Sequence, residues 1–447
     1  MLGPPPDPRA LPFAAGPTDA PAAWLACVAV AVMAGIVAWR WPRWRAAALV
    51  LGGTVLLTAP AAFVPGEVWW GAYPTLDKEG SRLFYDDGVH WRLLARPWAA
   101  PGDAAIRLIG VHLGHLVEVA LFDVLLPVAG SFRAVALLHV ALAWWAAAGL
   151  ARALGARPVD ALLLGLPFGI NLHLMRDVQF TTVEKTADFV LPLFAWAWVR
   201  AGAGGAARAG PALVVLVGAF LNLYSVLIIG LGSALIAPFG VVAARRGEPA
   251  ARARAVALLG AAVAAMLAAA AQAAVQAGGP ALASADAFLE RAALDSFTLV
   301  PWSWARLEPA WAWSPVALGV SAAGVWAGRG DRAVQACVLG ALGLWALGWG
   351  PAPAPGVPSP PYLALAEWMP GFWRVAKPEA LVVGARLLVL AAAARALGAR
   401  APLGARRWAA WALAEIAFVV LSRGHAAWPG FSWDVPAELA PGWRAGP

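Results

Sequence analysis

Charge is the scarcest property of this sequence. Only 13% of its 447 residues are Asp, Glu, Lys or Arg, about half the share of an average soluble domain, while 61% are hydrophobic. Packing in water cannot hide that much apolar surface, which argues against a water-soluble fold. Cysteine is nearly missing too: Cys27 and Cys337 both fall inside apolar stretches, which speaks against a disulfide framework and against a thiolate metal site. A basic n-region is lacking before Ala22, where a Pro-rich tail over 1–21 carries Asp7, Arg9 and Asp19. The first apolar stretch is therefore expected to remain as a helix rather than to act as a cleaved signal. No repeat of twenty to fifty residues is evident, nor an inverted pair of broken helices of the transporter kind.

What is present is a succession of apolar stretches near the length that crosses hydrocarbon. They lie at 22–39, 46–63, 132–150, 158–175, 187–199, 255–275, 315–327, 333–349, 381–397 and 408–421, with 211–244 long enough to be read as two. The expected fold class is all-α, a polytopic membrane helix bundle of about twelve transmembrane helices in one integral membrane domain. The segment 106–126 has helical length, but Arg107, His112, His115, Glu118 and Asp123 interrupt it more than a lipid-facing span tolerates. It is expected to be an interfacial helix inside a long outer loop, 65–131.

The formal charge is +8 and the pI near 10.3, values that in a soluble chain would point to nucleic acid. Here the arginines sit in short loops instead, so nucleic acid is not an expected partner and lipid is. Loops 40–45, 152–157, 200–208, 245–254, 329–332 and 395–407 hold 17 arginines against two acids, Glu248 and Asp331. By the positive-inside rule these are cytoplasmic. The tail 1–21, the loops 65–105, 176–188, 276–314 and 350–379 and the tail 423–447 hold 13 basic and 19 acidic residues, and are expected outside. All six arginine loops fall on one side only if 106–126 does not cross. Both termini are then non-cytoplasmic.

Four polar constellations stand out. The first outer loop contains FYDDGVH, where adjacent Asp86 and Asp87 offer one carboxylate as base or metal ligand while the other tunes it. Arg92 and Arg96, with Arg82, are suited to phosphate contacts. His112, His115 and Glu118 follow a three-residue spacing that lines up one helical face, a pattern that can hold a metal and that also describes the wet side of an amphipathic helix. Arg176, Asp177, Glu184, Lys185 and Asp188 flank two spans, where charges ordinarily snorkel. Arg374 and Lys377, with Glu379, stand at the outer mouth of a span, against the usual charge bias, and suit an anionic ligand such as a lipid phosphate. Within the spans, Arg386 and Glu415 lie at similar depth in adjacent stretches and are expected to pair. Many of the 26 tryptophans, Trp69, Trp302 and Trp373 among them, sit at loop edges as an aromatic belt.

In this order of features the chain resembles the polytopic glycosyltransferases of the GT-C superfold and their uncharacterised bacterial relatives. The resemblance rests on FYDDGVH before an interfacial helix, on GLARALGARPVDALLLGLPFGINLHLMRD followed by LPLFAWAW, on ALDSFTLVPW and on the proline-bounded loop ending in WMPGFWRVAKPE. It implies transfer of a sugar or related group from a polyprenyl-phosphate donor at the outer face of a bacterial inner membrane. Asp86 or Asp87 would act as base or metal ligand, and Arg374 and Lys377 would contact the donor phosphate. A divalent metal is the one cofactor the resemblance admits. The chain departs from that group in having two helices before the acidic loop and no large soluble outer domain. A transporter or flippase of a lipid-linked substrate, and a non-catalytic membrane scaffold, are the competing readings.

Overall fold

Helices built from Ala, Leu, Val and Gly dominate the molecule. The computed structural model describes residues 20–58, 74–76, 82–84, 128–170, 174, 186–221, 244–276, 315–348, 359–368 and 378–400, with single residues and pairs within 114–124, 225–233, 241–242 and 410–414. Its helices are α1 (Ala20–Arg40), α2 (Arg45–Leu57), α3 (Val128–Ala153), α4 (Pro158–Gly169), α5 (Val190–Ala201), α6 (Gly210–Leu221), α7 (Pro249–Gln276), α8 (Pro315–Gly328), α9 (Arg332–Gly348), α10 (Pro360–Trp368) and α11 (Pro378–Arg400). Five of them, α4, α7, α8, α10 and α11, begin on proline, whose fixed φ suits a first helical position where no intrahelical N–H partner is lost. The expected all-helical architecture has one small exception among the described residues. A two-stranded antiparallel hairpin, β1 (Pro74–Leu76) and β2 (Arg82–Phe84), pairs Thr75 with Leu83 just before the Asp86–Asp87 stretch.

The chain divides into two compact units. The first comprises 1–141, 175–186 and 420–447, and so contains α1, α2, the hairpin and the opening turns of α3. A 3-10 turn over Pro42–Trp44 joins α1 to α2, and Arg45 donates from Nε to the Ala38 carbonyl at 3.1 Å. The two helices pack closely: a Cβ on Gly52 would lie 2.4 Å from the Cβ of Ala34, so no larger residue fits there without a shift. Cys27 and Val55 form a small buried cluster that Val30 and Leu137 cover.

The second unit comprises 142–174 and 187–419. Its α3 portion meets α4 at short range, where Gly165 admits the Trp144 carbonyl and Ala148, and Trp144 donates from Nε1 to the Leu162 carbonyl at 2.7 Å. The C-terminus of α3 closes in a Schellman turn. Gly155 takes a φ of 105°, its N–H donates to the Arg152 carbonyl, and the Ala156 N–H donates to that of Ala151. Helix α8 lies against α11, with Gly324 on the Ala393 backbone and Gly328 on Ala396. Asp331, in the tight link from α8 to α9, caps α9 by accepting the Ala333 N–H at 2.8 Å and receives the Arg395 Nε–H of α11 at 2.6 Å.

Among the described residues, two helical stretches, Ala134–Ala153 and Pro249–Ala268, are long and apolar enough to cross a membrane. Several helices also present large apolar side chains outward. On α7, Val256, Leu259, Val263, Met266 and Leu267 form one exposed stripe at helical spacing, and on α6 Leu213, Leu216, Val217 and Phe220 do the same. Of the expected spans, 158–175 is represented by the twelve-residue α4, while most of 408–421 and most of 222–244, where 211–244 was expected to divide into two, lie outside the described residues. The loops 276–314 and 350–379, expected outside, and the tails 1–21 and 423–447 fall mostly outside the described residues as well.

Burial pushes the Asp331 carboxyl up, but hydrogen bonds from Arg395 and the Ala333 amide, with the Arg395 charge, hold it below the usual carboxylate range. Asp331→Ala should therefore lower stability by about 1–2 kcal/mol, the ordinary scale of a lost N-cap. Asp331→Asn should retain most of the cap. Thermal unfolding of the detergent-solubilised protein measures both, and equal losses in the two variants would assign the effect to the ion pair with Arg395 rather than to the cap.

Candidate functional site

Inside the first unit, a short helical segment turns His115 and Glu118 inward. Val117, Leu121 and Val124 are exposed, at spacings of four and three residues, whereas His115 on the opposite face is fully buried and Glu118 is 17% exposed. A solvated polar face, one of the two readings of the His-Glu spacing, does not describe this arrangement. The polar face instead meets His139 of α3.

His139 is held by the sequence around it. Val135, Ala136, Val140 and Ala143 are all buried, so the α3 face that carries the imidazole is packed and its rotamer has little freedom. Its Nε2 lies 3.1 Å and 3.0 Å from the two carboxylate oxygens of Glu118, and His115 Nδ1 lies 3.1 Å from Glu118 Oε2. The two imidazole rings stand 5.6 Å apart, tilted by 52°. On its other side, His139 Nδ1 is 2.8 Å from the hydroxyl of buried Thr186. An ionised carboxylate only accepts, so both histidines donate to Glu118, His115 from Nδ1 and His139 from Nε2. A neutral His139 then accepts at Nδ1 from the Thr186 O–H.

Burial works against the Glu118 charge, but the hydrogen bonds that His115 and His139 donate, together with the electrostatic attraction of the two rings, prevail, and the carboxyl is held at about 2. The ligating atoms of His115, Glu118 and His139 all lie within 4.8 Å of one another, and among the described residues this is the grouping of that kind. It can act as a proton-holding acid–imidazole network or as a cation site.

Of the residues singled out from sequence, His115 and Glu118 are thus brought together, and His139 and Thr186 join them. His112 lies outside the described residues, as do Asp86, Asp87, Arg92, Arg96, Arg374, Lys377, Glu184 and Glu415. Arg386 is half-buried on α11 and Asp188 half-buried in the turn before α5. His139 was readable as one of two histidines inside the expected apolar spans, with His173 the other, and an ionisable side chain there is expensive and ordinarily functional. Thr186 carried no such signal.

No protein-family model matches the chain, and neither a characterised protein nor a solved structure matches it.

Because the folded-state pKa of Glu118 is depressed below its ordinary 4.5, its contribution to stability is complete above that value and is lost as pH falls toward 2. The stability advantage of the unmodified protein over Glu118→Gln should therefore shrink as pH is lowered from about 6 to about 3, read by thermal unfolding in detergent. A difference that stays constant across that range would mean that the carboxyl is not ionised in the folded protein.

Proposed function

We propose that this chain is a polytopic inner-membrane protein acting at its non-cytoplasmic face as a GT-C-like glycosyltransferase. It would move a sugar or related group from a polyprenyl-phosphate donor to an acceptor hydroxyl. The observation that supports a working site is the half-buried, ionised Glu118 between two buried imidazoles, on the segment that follows the acidic FYDDGVH loop. Charge retained at such cost in so apolar a chain is characteristic of functional sites.

In the proposed reaction Asp86 or Asp87 takes the proton of the acceptor hydroxyl as its oxygen bonds to the anomeric carbon. The bond from that carbon to the phosphate oxygen breaks, and the phosphate leaves with the electron pair. Arg374 and Lys377, with Arg92 and Arg96, balance the charge that develops there. The outward apolar stripes of α6 and α7 and the two span-length stretches support a lipid environment. The arginine loops supply the orientation, with twelve crossings, both termini outside and the 106–126 segment at the interface.

Membranes containing the protein should consume a polyprenyl-phosphate sugar, and at least one of Asp86→Asn and Asp87→Asn should cut transfer by about 10² or more while leaving protein levels unchanged. Retained transfer in both would move the base to Glu184 or Asp188. For the topology, a reporter enzyme active only outside the cytoplasm should work when fused at Pro447 or near Asp77 and be silent after Gly247. Activity after Gly247 would reverse the orientation.

A further inference from the structure

We propose that His115, Glu118 and His139 form a three-ligand site for a divalent transition metal of the zinc class, with Thr186 orienting His139. The inference concerns these four residues and does not rest on the transferase reading.

Two imidazole nitrogens and one carboxylate oxygen are a donor set that binds Zn²⁺ with a fourth position left open to water or substrate. Imidazole donors also favour zinc, cobalt or nickel over magnesium and calcium, which take oxygen ligands. The geometry is close to what such an ion needs. Ligands about 2.0–2.1 Å from a tetrahedral ion stand roughly 3.3–3.4 Å from one another. Here His115 Nδ1 and His139 Nε2 are 3.1 Å and 3.0 Å from Glu118 Oε2, and all the ligating atoms fall within 4.8 Å. To admit the ion, each nitrogen would move a few tenths of an ångström away from Glu118 Oε2 while the two nitrogens, within 4.8 Å, draw toward one another, and the atoms that now share protons are those that would share the metal.

Placement is equally specific. His139 is immobilised in the buried face of α3, His115 is fully buried, and only Glu118 keeps partial exposure, which leaves an entry side. The Thr186 hydroxyl at 2.8 Å from His139 Nδ1 supplies the outer contact that ligating histidines ordinarily have. A hydroxyl both donates and accepts. Without metal it donates to Nδ1. With metal on Nε2 the proton resides on Nδ1, which then donates to the Thr186 oxygen, so both states are satisfied by rotation of one O–H. Two neutral imidazoles and one carboxylate leave a bound dication with a net positive charge, suited to lowering the pKa of a water or to meeting a phosphate oxygen. The competing arrangement is a permanent hydrogen-bonded network in which the protons are never displaced.

The test uses full-length protein purified in detergent without a polyhistidine tag, stripped with a chelator and titrated with Zn²⁺ against a chelating dye. The expected result is one tight equivalent per chain and, with Co²⁺ in place of zinc, the strong visible bands of a four-coordinate ion. His139→Gln and Glu118→Gln should each abolish the tight equivalent, and Thr186→Val should keep the stoichiometry while weakening affinity about 10–100-fold. Thr186→Ser, which preserves the hydroxyl, should restore it. No tight equivalent in the unmodified protein, or a Co²⁺ spectrum no different from the six-coordinate aqueous ion, overturns the site. That readout needs no folded variant and no transfer assay, so it stands apart from the outcome for Asp86 and Asp87.

Discussion

A polar group surrounded by apolar side chains must find its partner within the protein, because the alternative costs several kcal/mol when no water is at hand. Several polar groups among the described residues show that requirement. Asp331 in the link between α8 and α9 meets both the free amide of Ala333 and the Arg395 guanidinium. The indole N–H of Trp144 reaches the Leu162 carbonyl, and that of Trp198 the carbonyl of Arg254 at 3.3 Å. Thr58, at the end of α2, donates its hydroxyl to the Thr54 carbonyl at 2.7 Å. Glu118 meets the same constraint with two imidazoles, and Thr186 completes the chain of donors and acceptors.

Helix packing follows from the same poverty of driving forces. In the lipid surrounding proposed for the chain, apolar side chains would gain little by leaving lipid for protein, so association would depend on close contact through small residues. Gly52 on Ala34, Gly165 on Ala148, Gly324 on Ala393 and Gly328 on Ala396 are contacts of this kind. Richness in alanine and glycine could have been composition alone. At these four positions it is spatial, since an added Cβ would stand at or inside 3.0 Å of a neighbour.

The inward-turned polar face of the 114–124 segment joins the two themes. Its outward Val117, Leu121 and Val124 are what lipid tolerates, and its inward His115 and Glu118 are what only an internal partner can satisfy. His139 of this site is packed into a buried face of α3, and the site is open on the side where Glu118 is still exposed. Such a frame is suited to holding a cation or a proton in place while substrate approaches.

The apolar stretches determined, from the sequence by itself, that the chain is helical and roughly where its helices lie. That signal is local: the length and hydrophobic period of a stretch need no knowledge of neighbours. His115 and Glu118 were visible together because three residues on a helix share a face. The partnership with His139, 21 residues beyond Glu118, and with Thr186, 47 beyond His139, was decided by tertiary structure alone. So was the choice between a wet face and a buried one. The same spacing serves either, and only the packing of α3 against that face settles which solvent the carboxylate meets.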